Sequence, residues 1–150
     1  MAGRLTPYAA NQLLNELTGK TNSLDFGTIY AGLSSTEPTV SGDSTTNITE
    51  PSTSGTGYKR VLIGSSSQAL TQLMGSATGG STTNNQIVKF DEVLASWGTL
   101  THFVLFNSSS GGQALAFGNL VDDSGQATSI TPTLNSMPII RAGGLTISLT

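Results

Sequence analysis

The chain has 150 residues, with nine acids against six bases, 36% hydrophobic and only 10% charged residues, and no cysteine. That length supports one domain with a sizeable hydrophobic core. The net charge of −3 leaves no basic stripe to neutralise a row of phosphates or an anionic membrane, and the missing thiols exclude disulfides, thiolate nucleophiles and cysteine metal sites.

The first element is a helix with full punctuation. Thr6 can cap it, Pro7 suits its first position, Ala10, Leu13, Leu14 and Leu17 share one face, and Gly19 supplies a stop. About three turns are too few to be stable alone in water, so the apolar face must pack on this domain or on a neighbouring chain. Residues 1–20 are therefore expected to form a helical arm, and residues 21–150 a single β domain. The opening residues lack the unbroken apolar core of a signal peptide, and no run approaches a membrane span, so a chain without export is expected.

The period then changes to two. Ile29, Ala31 and Leu33 alternate with Thr28, Tyr30 and Gly32, and Val61 and Ile63 with Arg60 and Leu62. Further strands are expected at 87–90, 100–106, 113–121 and 127–131. The closing LTISLT alternates as a strand with one wet face. Residues 34–57 are almost wholly small, polar and turn-forming, too long for a hairpin turn, and read as a functional arm or a disordered segment. Residues 65–86 read as a mobile excursion, with Ala69, Leu70, Leu73 and Met74 enough for one marginal helical turn. The expected fold is mainly β: a β-sandwich or jelly-roll-like domain with one N-terminal helix and two long polar loops. Weakly charged edge strands invite strand addition, which oligomerisation would cover.

Chemistry is hard to find. His102 is the only histidine, no G-x-S-x-G elbow accompanies the many serines, and Ser108, Ser109 and Ser110 fall in a hairpin loop. Because strand neighbours point to opposite faces, His102 and Phe103 are not expected to face the core together. GSATGGST at 75–82 lacks the lysine of a phosphate loop, and Asp91-Glu92 and Asp122-Asp123 read as solvated turns. No catalytic residue, cofactor or metal is expected, and Trp97 and the phenylalanines read as core or subunit-interface groups.

The segments LTPYAANQLLNEL, YAGLSSTEPT, EPSTSGTGYKRV, SWGTLTHFVLFNSSSGGQALAFGNL and RAGGLTISL, in this order, resemble a family of small tailed-bacteriophage virion proteins. Its members are named as tail fibre, minor tail or capsid-associated proteins. The most specific part runs from Trp97 to Leu120, with Thr101 to Phe103, Leu105-Phe106, Gly111-Gly112 and Gly118 to Leu120 as its marks. Departures are an asparagine at 107, where members often carry an acid, and longer serine-rich loops at 34–57 and 65–86. The resemblance implies a virion structural role without catalysis, assembled in the host cytoplasm.

Among virion roles, a capsid cement or decoration protein is favoured, trimeric and bound to the major capsid protein or other virion subunits, without nucleic acid or membrane. The alternative is a tail, baseplate or fibre-associated subunit. A glycan-binding or hydrolytic tail enzyme would need an aromatic platform or an acid pair that the sequence does not offer. Tyr8, Leu13, Leu17, Trp97 and His102 are the expected interface residues.

Overall fold

The computed structural model describes residues 2–21, 24–65 and 72–149. In chain order they form β1 (Ala2–Leu5), α1 (Pro7–Leu17), β2 (Thr28–Ser34), β3 (Thr39–Ser41), β4 (Ser44–Thr46), β5 (Val61–Ser65), β6 (Ser81–Thr83), β7 (Val88–Lys89), β8 (His102–Phe106), β9 (Ala114–Asn119), β10 (Ile139–Ile140) and β11 (Thr146–Ser148). Seven strands make one curled sheet in the order β5-β2-β8-β9-β1-β11-β6, and β7/β10 and β3/β4 are two-stranded ribbons. The fold is mainly β and sandwich-like, with one helix near the N-terminus, as the alternation predicts.

The chain segment expected as an arm begins inside the sheet. β1 pairs antiparallel with β9 and parallel with β11, so the first described residues lie between two strands. Four residues with a glycine among them carry too little periodicity to announce a strand. The helix that follows starts where the capping signals place it: Thr6 Oγ1 accepts from Ala9 N, and Pro7 stands in the first turn. Thr6 also donates to the Ala114 carbonyl at 2.7 Å, which ties the helix start to β9. Of the helix, only Ala9 is fully buried; Leu14 and Leu17 stand exposed.

The main core lies inside the curl, built from Ala31, Leu33, Ile63, Phe103, Leu105, Leu115 and Leu145, with Tyr58, Phe90, Val93 and Trp97 packed against them. Val104, Phe106, Ala114 and Phe117 form a second cluster on the outer face, covered by Ile48 of the long polar segment. With both faces of the sheet covered, every residue of β8 is buried: Phe103 lies in the main core and His102 on the opposite face, so the two do not face the core together, as alternation requires. The 34–57 segment is a packed arm, its β3/β4 hairpin touching the helix through Asn11 Nδ2 and Asp43 Oδ1 at 3.1 Å.

The two ends of the sheet are stitched together. Leu73 N donates to Ile63 O beside β5, Asn85 N donates to Leu73 O, and Gly75 N donates to Thr83 O of β6. Leu73 and Met74 are therefore extended rather than helical, while Ala69 and Leu70 lie outside the described residues. Part of the edge hazard is thus met within the chain. The expected strand at 127–131 is reduced to two bridges, Val121 to Ala127 and Leu100 to Ile130.

Candidate functional site

Charged groups are scarce, so each buried one is informative. Arg60 precedes β5 and is almost wholly buried. Its Nε and Nη2 donate to the Glu50 carboxylate at 3.0 and 2.6 Å, and its Nη1 donates to the carbonyls of Ser108 and Gly111 at 2.7 and 2.8 Å. The guanidinium lies 3.3 Å from the centre of the Phe106 ring. Tyr58 completes the group: its hydroxyl donates to Glu50 Oε1 at 2.7 Å and accepts from Leu33 N at 2.9 Å. Burial first, and then the Glu50 charge, push the phenol far above its usual range, which keeps it a donor. Gly32 leaves the space, since a Cβ there would lie 2.8 Å from Glu50 Oε1 and 3.0 Å from the Tyr58 oxygen.

This network joins three of the sequence's distinctive segments: YAGLSSTEPT supplies Gly32 and Leu33, EPSTSGTGYKRV supplies Glu50, Tyr58 and Arg60, and the hairpin loop of β8 and β9 supplies the two carbonyls. Trp97 belongs to the same assembly. Its Nε1 donates to Thr56 O at 2.8 Å, and its ring meets Tyr58 edge-on at 5.2 Å. At 4% exposure Trp97 is a core residue with almost nothing to offer a partner, against the interface role expected of it. These groups point at one another and not at a cavity. Their chemistry is that of a clamp.

The second constellation lies at the other end of the outer face. Register puts Asn119 opposite His102, Phe117 opposite Val104, and Arg4 on the far side of Phe117. Two adjoining clefts of about 450 and 430 Å³ share Glu37, His102 and Asn119, and the first also takes in Arg4, Phe117 and Gly118. His102 Nδ1 lies 2.8 Å from Thr101 Oγ1, where a hydrolase would place an orienting carboxylate. No serine hydroxyl is hydrogen-bonded to the ring among the described residues.

Asp122 Oδ1 accepts from the amides of Ser124 and Gln126, an Asx turn, and Asp123 meets Arg141 at 3.5 Å on the surface. Lys59 pairs with Asp91 in the same exposed way. Among the described residues no three His, Asp or Glu side chains gather as metal ligands, and no helix is long and apolar enough to cross a membrane. Of the expected interface residues, Tyr8 packs partly on the core, Leu13 is half-buried, and Leu17 is 82% exposed. Sequence reading passed over Arg4, Glu37, Glu50, Tyr58 and Arg60. The available signal was charge itself, for in a chain with 10% charged residues an acid or base inside a distinctive motif stands out.

No curated protein matches the chain. A family model described as Podophage GP4 fiber I protein gp80 matches residues 4–142, a span that includes the helix, the packed arm, the clamp and the whole run from Trp97 to Leu120. The chain belongs to this family of phage virion structural proteins.

Proposed function

We propose that the chain is a non-enzymatic fibre subunit of a phage particle, joined to other virion subunits and to copies of itself. The family match over residues 4–142, whose description names a fibre, carries this reading and favours it over the shell cement that the sequence alone preferred. The clamp supports it too, since the buried charges hold the scaffold together. Counting subunits in purified particles tests the assignment. A handful of copies, removed together with the fibres, is expected; hundreds of copies in proportion to the major shell protein would return the chain to the shell.

Helix α1 is the proposed contact between subunits, because Leu14 and Leu17 are 56% and 82% exposed on a helix too short to hold an apolar stripe in water unaided. Deleting residues 1–20 would also remove β1 from the middle of the sheet, so the informative change is Leu14→Ser with Leu17→Ser. This double variant should unfold within about 1 kcal/mol of the parent, as exposed substitutions do. Sedimentation should show a smaller assembly, a trimer reduced to monomer; an unchanged assembly would remove the helix from the contact.

A further inference from the structure

We propose that helix α1 of one copy docks in a double hollow on the next copy, formed where residues 130–138 meet the β7/β10 ribbon. The inference rests on the reading of α1 as the contact between subunits, and it supplies the receiving surface. Two hollows of about 280 and 270 Å³ adjoin there and share Ile130 and Pro138. The floor of the first is core, with Leu33 and Phe90 fully buried, so an apolar group entering it meets side chains that are already dry. The walls are not dry: Ile130, Met137 and Ile139 are large apolar groups left exposed. Apolar side chains gathered around a concave surface mark a contact.

The helix matches this surface in number and in charge. Leu14 and Leu17 lie one turn apart, two exposed leucines for two adjoining hollows. The second hollow has no charged residue in its lining, whereas the first is rimmed by Asp122, Asp123 and Arg141. The charges of the helix are likewise gathered at one end: Glu16 and Lys20 flank Leu17, and residues 7–13 carry none. This complementarity fixes the direction. Leu17 enters the first hollow, with Lys20 towards Asp123 and Glu16 towards Arg141, and Leu14 enters the second. Asp123 and Arg141 meet at 3.5 Å with both side chains largely in water, a loose pair that can exchange partners at little cost.

The match cannot be made within one chain. Helix α1 packs against β1, β9 and β4, and no described residue before Leu33 lines either hollow. An extended peptide is a poor occupant, since β10 is two residues long and follows Pro138, which leaves almost no edge for strand addition. The contact joins unlike surfaces, so repeated around a closed ring it covers the helix and the hollows of every copy.

A chain without cysteine makes this geometry directly readable. Full-length Leu17→Cys and Ile139→Cys chains, both substituted at exposed positions, are co-expressed with tags of different size and treated with a short bismaleimide. A covalent dimer holding one chain of each kind is expected, and neither variant alone should couple to itself. Lys20→Glu and Asp123→Lys should each raise the concentration at half-assembly about fivefold, and the two substitutions together in one chain should restore it. Coupling of Leu17→Cys to itself would make the helix contact two-fold and overturn the hollow as its partner. Absence of coupling between the two variants, or a charge reversal that the second reversal does not restore, would overturn it as well. The assembly of Leu14→Ser with Leu17→Ser separates the two readings: if that variant dissociates while the coupling fails, α1 remains the contact and only the hollow is lost.

Discussion

Gly57→Ala is expected to destabilise the chain by about 4 kcal/mol or more, enough to lower its melting temperature by roughly 10 °C or to prevent recovery of folded protein. Two separate costs meet at this position. Its φ of +78° lies in the left-handed region, where a side chain costs about 1–3 kcal/mol. A Cβ would also stand 2.1 Å from the Glu92 carbonyl oxygen and 3.2 Å from Leu94 Cγ, and the first neighbour is backbone that cannot swing aside. Gly55 supplies the control. Its φ is +71°, but nothing lies within 4 Å of its Cβ position, so Gly55→Ala should cost only the conformational part. Urea unfolding of the two variants isolates the close approach of residues 57 and 92; equal losses would show that the turn alone matters.

That approach explains much of what sequence reading could and could not reach. Helix α1 was legible because its signals are local: Thr6, Pro7, the apolar spacing and Gly19 lie within fourteen residues. The β8–β9 hairpin was legible for the same reason, with two apolar runs joined by a loop of serine and glycine. Strand β1 was not, because what makes Ala2–Leu5 a strand is β9 and β11, more than a hundred residues later. The polar 34–57 segment looked unattached because its anchors are single contacts without periodicity: Ile48 on the outer cluster, Glu50 on Arg60, and Thr49 N on Ser34 Oγ at 3.0 Å. His102 shows the limit most clearly. Alternation placed it on the face opposite Phe103, yet whether that face was wet depended on an arm whose packing no local pattern reveals.

The clamp around Arg60 also decides how the arm and the hairpin loop stay together, and Arg60→Ala is expected to cost about 3–5 kcal/mol. The side chains of Arg60 and Glu50 are only 8% and 21% exposed, so removing the guanidinium leaves a carboxylate poorly hydrated and two loop carbonyls, of Ser108 and Gly111, without their donor. Arg60→Lys keeps the charge but loses the planar fork. One ammonium cannot span both carboxylate oxygens and two carbonyls while lying on Phe106, so about 1.5–3 kcal/mol should still be lost. The double variant Arg60→Ala with Glu50→Ala separates pair strength from the penalty of a stranded charge. If the loss arises chiefly from an unpaired Glu50, the double variant should unfold at lower cost than the two single losses added together, by about 1 kcal/mol or more. Hydrogen exchange gives the local counterpart: amides of residues 107–113 should exchange faster in Arg60→Ala, while those of β1 keep their protection relative to global stability. Unchanged exchange in that loop, or strict additivity of the two substitutions, would show that Phe106 packing rather than the ion pair holds the arm to the sheet.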